Sequence, residues 1–215
     1  MIVQRRIRNY QAPLHKYMVD GGMENKRAIS IAHRRWGKDE IALDVTFQAL
    51  IDRPATYWTC LPEFAQARKA IWSAVNPHTG LRRIDEAFPE ELREVTNEVF
   101  IRFKNGATWQ VIGSDRYNSL VGAGVAGITF SEWALANPSA WGYISPMLRE
   151  NNGWAMFVTT PRGKNHAYEM FNYGMKTDGW FAEVSNVLDT GAFAIAQLDE
   201  IKAEYVALYG GDFGA

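Results

Sequence analysis

The chain has 215 residues, of which 47% are apolar, and its 23 Lys and Arg balance 24 Asp and Glu to a formal net charge of −1. This is a globular composition long enough for one large core, and its near-neutral charge argues against a protein that coats nucleic acid unaided, because cationic contacts to phosphate supply most non-specific affinity. A single cysteine, Cys60, excludes an internal disulfide and a cysteine metal cluster; no apolar run approaches the ~20 residues of a bilayer span, so a soluble chain of a reducing, intracellular compartment is expected.

In chain order, AISIA at 28 to 32 reads as a short buried strand. The segment at 39 to 51 places Ile41, Val45 and Leu50 at helical spacing. TYWTCL (56 to 61) is a second strand, and EFAQARKAIWSAV after Pro62 a second helix. EVFIRF and ATWQVIG alternate around Lys104-Asn105-Gly106, the signal of an antiparallel hairpin at the edge of the sheet. VAGITF (125 to 130) and WAMFVTT (154 to 160) are buried strands, with a helix around Trp141 to Glu150 between them. HAYEMFNYGM is a helix, WFAEVSNV a strand, and AIAQLDEIKAEYVALYG a helix ending at Gly210-Gly211. Strands alternating with helices give an α/β domain, its mostly parallel central sheet flanked by helices on both faces. The basic groups Arg5, Arg6 and Arg8, Arg68-Lys69 and Arg82-Arg83 are candidates for a local basic patch, against the plainer reading of solvated surface charges.

Three stretches carry chemistry. AISIAHRRWGKDEIAL (28 to 43) is close to the phosphate-binding pattern G-x-x-x-x-G-K-[ST], with Ala32 in place of the first glycine and Asp39 in place of the hydroxyl. A strand-to-helix loop aims backbone N–H groups and the helix dipole at an anion, and Lys38 can reach a phosphate. GITFSEWAL (127 to 135) ends an apolar strand in Ser131-Glu132. That resembles the acidic motif in which an aspartate serves Mg²⁺ and the next residue, a glutamate, activates water, but Ser131 stands at the aspartate position. The two departures compensate: the loop offers a carboxylate and the strand a hydroxyl, both oxygen ligands of the kind Mg²⁺ accepts. The second Gly-Lys pair, Gly163-Lys164, follows Thr159, Thr160 and Pro161 and reads as a sensing or coupling loop rather than the phosphate cradle. No two of His15, His33, His78 and His166 have the helical spacing of a zinc site. Trp36, expected to be exposed beside Gly37, would be available for stacking.

Residues 28 to 43, GITFSEWALANPSAW and GWAMFVTTPRGKNHAYEMF resemble the ATPase domain of the large terminase subunit of tailed bacteriophages, over most of the chain. The resemblance implies a RecA-like P-loop NTPase of the class with a dedicated catalytic glutamate (ASCE), with the antiparallel hairpin at the sheet edge. It implies ATP and Mg²⁺ as ligands: Gln11 on the adenine side, His33, Arg34, Arg35, Trp36, Gly37, Lys38 and Asp39 at the phosphates, Asp39 and Ser131 at the metal, and Glu132 as the catalytic carboxylate. Thr159, Thr160 and Pro161 would couple hydrolysis to movement of double-stranded DNA. Many family members carry an Arg-Gly pair where this chain has Val121-Gly122. The charge-neutralising arginine is then expected from Arg116, or in cis from Arg34 or Arg35.

The implied partners are double-stranded DNA, the small terminase subunit and the portal protein. A homo-oligomeric ring is expected in packaging, a monomer is compatible with an isolated domain, and the implied location is the host cytoplasm. The domain reading is 1-208 as motor, comprising an adenine-side segment 1-27, a P-loop core 28-188 and a C-terminal helix 189-208, with 209-215 opening a linker to a nuclease domain that the chain lacks. No nuclease activity is therefore expected. A helicase-like remodelling ATPase and a catalytically silent nucleotide-binding assembly module are the competing expectations, separable by strand separation and by magnesium-dependent turnover.

Overall fold

The structure, a computed structural model, describes residues 7–77, 79–120 and 124–210. Its eight strands are β1 (Arg27–Ala32), β2 (Thr56–Leu61), β3 (Arg93–Asn97), β4 (Phe100–Phe103), β5 (Thr108–Gly113), β6 (Val125–Ser131), β7 (Trp154–Thr159) and β8 (Trp180–Ser185). The helices are α1 (Ala12–Val19), α2 (Lys38–Asp52), α3 (Phe64–Ala67), α4 (Arg83–Ala87), α5 (Ser139–Glu150), α6 (His166–Gly174), α7 (Val187–Thr190) and α8 (Ile195–Tyr209). One sheet holds all eight strands in the order β3-β4-β5-β2-β6-β7-β1-β8. The six strands from β5 to β8 in that order run parallel, and β3 and β4 close the far edge antiparallel.

Every residue of β1, β6 and β7 is buried, as a parallel sheet covered on both faces requires. Alternation divides their side chains between two cores. Ala28 and Ala32 of β1 and Met156 and Val158 of β7 join the core under α1, α2 and α4. Ile29 and Ile31 of β1 and Ala155 and Phe157 of β7 join the core under α5 and α6. Phe130 stacks on Phe157 there, with ring centroids 5.0 Å apart.

The connection leaving β1 through α2 crosses β7 and β6 to reach β2, whereas that leaving β7 through α6 passes to β8 on the other side. α2 and α6 lie on opposite faces, so a crevice opens at the carboxyl ends of β7 and β1, where open α/β sheets bind ligands.

Several local features differ from the sequence expectation, the short helices α4 and α7 among them. The helix expected over 63 to 75 is α3 followed by a π turn, Arg68–Trp72, in which the Ser73 amide donates to the Arg68 carbonyl. That turn buries the consecutive pair Ile71 and Trp72, with Trp72 stacked on Trp109. β3 is an additional strand outside the hairpin; four of its five residues are exposed, so it carries no apolar alternation and suits a polar sheet edge. α1 is an additional helix that buries Leu14 and Met18, one turn apart. The expected stop of the last helix lies at Gly210, which adopts φ 73°. Arg5, Arg6, His78, Val121-Gly122 and the residues from Gly211 on lie outside the described residues.

Candidate functional site

The loop between β1 and α2 occupies the crevice. Gly37 caps α2 with φ 89°, a left-handed conformation that favours glycine. A Cβ there would displace the side-chain ends of Arg8 and Gln11 from the loop. Asp39 and Glu40 occupy the first turn, at the positive end of the helix. Amides of that turn lack intrahelical partners and are available to an anion.

Lys38 is 8% exposed. Its ammonium donates to the carbonyls of Ala32 (3.2 Å) and His33 (3.0 Å), folding back over its own loop. Burial lowers its pKa, opposed by the negative charges of Glu132 and Asp39. The amine thus sits among acceptors that can surrender it to a stronger anion.

The base of the loop is latched from both sides. Gln11, 3% exposed, accepts from the Arg8 amide and donates to the carbonyls of Trp36 (2.9 Å) and Gly37 (3.3 Å). Arg8 Nη1 donates to the Trp36 carbonyl, and the Arg8 guanidinium pairs with Glu40 at 3.2 Å. Gln11 therefore commits its amide to the β1–α2 loop. Trp36 corrects the expectation of an exposed ring: it is 0% exposed, packs on Tyr10 and donates from Nε1 to Ser185 Oγ. Its indole anchors the loop to the end of β8 and is closed to a base or an adenine.

His33 Nδ1 faces the Arg34 carbonyl and Nε2 lies 2.8 Å from Thr190 Oγ1. A carbonyl only accepts, so Nδ1 carries the proton in the neutral ring. Burial lowers the His33 pKa, with the Lys38 charge acting in the same direction. Arg34 and Arg35 are exposed on the crest of the loop, Arg35 with φ 69°.

On the facing strand, Ser131 is 2% exposed and donates to Asp39 Oδ1 at 2.6 Å. The two exchanged residues, 92 apart in sequence, are thus in direct contact. Asp39 Oδ2 accepts from Arg83 at 3.3 Å. Glu132 follows with φ 52°, an uncommon backbone state for a side chain bearing Cβ and frequent at functional sites. Its Oε2 accepts from Thr160 Oγ1 at 2.9 Å.

The loop after β7 is wired to the same segment. Thr159 Oγ1 accepts from the Ala134 amide and donates to the Thr160 carbonyl. His166 Nε2 donates to the Trp133 carbonyl, and Asn165, which caps α6, reaches the Ala134 carbonyl. Pro161, Arg162, Gly163 and Lys164 are exposed. Lys164 thus contrasts with the buried Lys38, in keeping with different roles for the two Gly-Lys pairs.

The structure brings together Lys38, Asp39, Ser131, Glu132 and Thr160, with Thr159 behind them. It leaves Arg116 apart: this residue follows β5, two strand positions from β6, where it is exposed and lies over the Phe64 ring at 5.2 Å. Sequence reasoning missed two residues at the loop. Arg8 and Arg83 both appear among surface basic groups, and nothing local distinguishes them. Among the described residues no three His, Cys, Asp or Glu side chains gather as a metal cage. Asp39 and Ser131 instead set one carboxylate beside one hydroxyl. No helix among the described residues is long and apolar enough to cross a membrane.

No family model matches the chain. Over 168 residues it is 28% identical to the large terminase subunit of Thermus virus P23-45, a match covering 70% of this chain and 34% of that protein. The chain thus spans about a third of the length of the curated relatives it matches. Its fold superposes on the large terminase ATPase domain of Thermus phage P74-26 with a TM-score of 0.73 at 20% identity, covering 96% of this chain and 90% of that one. It also superposes on a large terminase from a thermophilic bacteriophage in complex with ADP, with a TM-score of 0.69 at 16% identity, covering 96% of this chain and 51% of the other. The fold it shares with that ATPase domain is a mixed sheet flanked by helices.

Proposed function

We propose that this chain, matched in sequence to phage large terminase subunits and in fold to their ATPase domain, is an ATP-hydrolysing motor that drives double-stranded viral DNA into a procapsid. The observation that carries the reading is the 2.6 Å contact between Asp39 and Ser131, immediately before Glu132. That contact supports reading the loop and the strand end as one site, with carboxylate and hydroxyl exchanged.

In this reading the amides at the start of α2 and Lys38 bind the phosphates, Lys38 leaving the carbonyls of Ala32 and His33 for them. Asp39 and Ser131 would hold Mg²⁺, which when bound neutralises charge on the β- and γ-phosphates. Glu132 orients a water and takes its proton as the oxygen attacks the γ-phosphorus and ADP departs. Arg34, whose charge acts on Lys38, and Arg35, beside it on the exposed crest of the loop, would offset charge developing on the phosphoryl group; Arg116 serves that role only toward a neighbouring subunit. Loss of the γ-phosphate is felt by the Glu132–Thr160 hydrogen bond and passes through Thr159 and Pro161 to the DNA-gripping surface.

The proposed domain assignment is a nucleotide-binding core over 28-188, preceded by a segment whose Arg8 and Gln11 brace the loop before α2, and followed by a C-terminal helix. Double-stranded DNA, the small terminase subunit, the portal and further copies of the chain in a ring are the proposed partners, in the cytoplasm of the host.

The test is magnesium-dependent ATP turnover by the wild type and by Glu132→Gln. Retained nucleotide binding with turnover reduced about 100-fold or more is expected for loss of a general base. Equal turnover by the two proteins removes Glu132 from its role, and binding without turnover in both would leave a silent nucleotide module.

A further inference from the structure

Asp39 engages both of its oxygens. Ser131 satisfies Oδ1, while Oδ2 faces the guanidinium of Arg83 at 3.3 Å, with both side chains partly exposed. Arg83 opens α4, a helix held firmly in place. Its own amide donates to the Ala74 carbonyl, and Ile84 and Phe88 are fully buried. Arg93 of β3, 9% exposed, donates to the carbonyls of Ile84 and Phe88 and pairs with Asp85 at 3.0 Å. Phe88 meets Phe47 of α2, so the helix that carries Arg83 is packed against the helix that carries Asp39.

We infer that Arg83 is a positioning residue that serves as the resident counter-ion of Asp39, neutralising the carboxylate until a divalent cation takes over that task. The inference rests on the reading of Asp39 as the carboxylate that faces the metal. A phosphate-loop hydroxyl is neutral and needs no such partner. A carboxylate there repels incoming phosphates unless a cation stands beside it, and the exchange of Asp39 with Ser131 creates that need. Buried, hydrogen-bonded Arg93 keeps α4 in place, so the guanidinium is presented without distortion of the loop.

A metal-dependent signature follows, measurable as the affinity of the full chain for a fluorescent ADP analogue, first in EDTA and then at saturating Mg²⁺. In EDTA, Arg83→Gln removes the cation paired with Asp39, leaving only the charge of the neighbouring Lys38, and weakens binding by about two- to five-fold, the scale of a partly exposed ion pair. With Mg²⁺ the loss shrinks, because the metal supplies the charge. Arg83→Lys restores most of the EDTA affinity, and in an Asp39→Asn background Arg83→Gln has no effect in EDTA. An equal loss with and without Mg²⁺ overturns the inference, since it marks a direct phosphate contact or a structural role. Unchanged affinity in EDTA overturns it as well. Wild-type protein that binds no analogue under either condition overturns the nucleotide-site reading itself, a separate failure visible before any variant is made.

Discussion

The exchange of Asp39 and Ser131 is testable as a double-mutant cycle. In Ser131→Asp a second carboxylate enters a position only 2% exposed, facing an Asp39 oxygen that now lies 2.6 Å from the serine hydroxyl. Two unit charges about 4 Å apart at an effective dielectric near 20 repel by about 4 kcal/mol. Protonation of one carboxyl caps that cost, and Arg83 offsets part of it, leaving a destabilisation of about 3 kcal/mol near neutral pH. Asp39→Ser removes a charge-assisted hydrogen bond and the partner of Arg83; discounted for the 26% exposure of the Asp39 side chain, this amounts to about 2 kcal/mol. The double variant restores one carboxylate and one hydroxyl and is expected to lose only about 1 to 2 kcal/mol. A coupling of about 3 kcal/mol should then appear in urea unfolding midpoints of the four proteins. Magnesium-dependent turnover should fall in each single variant and recover at least in part in the double. Additivity within about 0.5 kcal/mol, with the double variant inactive, would refute the compensation.

Two further outcomes follow from the loop. Gly37→Ala forces a left-handed φ on alanine and drives its Cβ against Arg8 and Gln11; a stability loss of about 1 to 2 kcal/mol with at least a tenfold loss of nucleotide affinity is expected, and calorimetric binding indistinguishable from wild type would show the latch to be dispensable. His33 has its pKa lowered by burial, so the folded chain resists a proton that the unfolded chain accepts near pH 6.5. Its contribution to stability is therefore full above that pH and is lost as pH falls through 6.5 toward the folded value. Urea midpoints measured from pH 8 to 5.5 should decline less steeply for His33→Gln than for the wild type; parallel curves would remove His33 as a source of the dependence.

Local pattern was sufficient for the elements whose role is local. β1, β6 and β7 are continuous apolar runs because both faces are covered, and the Asn105-Gly106 turn joins β4 to β5 because glycine supplies the required backbone at φ 90°. β3 escaped because an edge strand answers to one neighbour and to water, so its sequence carries no alternation. The π turn after α3 escaped because it is set by where Trp109 waits for Trp72, a contact between residues far apart in the chain.

The same division runs through the site. Gly37-Lys38 and Ser131-Glu132 were legible as candidate chemistry, as short, ordered runs of the residue types that a phosphate cradle and a catalytic carboxylate would need. Their pairing was inferable only as a balance of oxygen donors. That Arg83 rather than solvent completes Asp39, that Gln11 braces the loop, and that Trp36 is an anchor rather than a stacking surface were decided by packing. A side chain's exposure and its charge partners depend on which distant segments the sheet order brings alongside, and no local spacing encodes that.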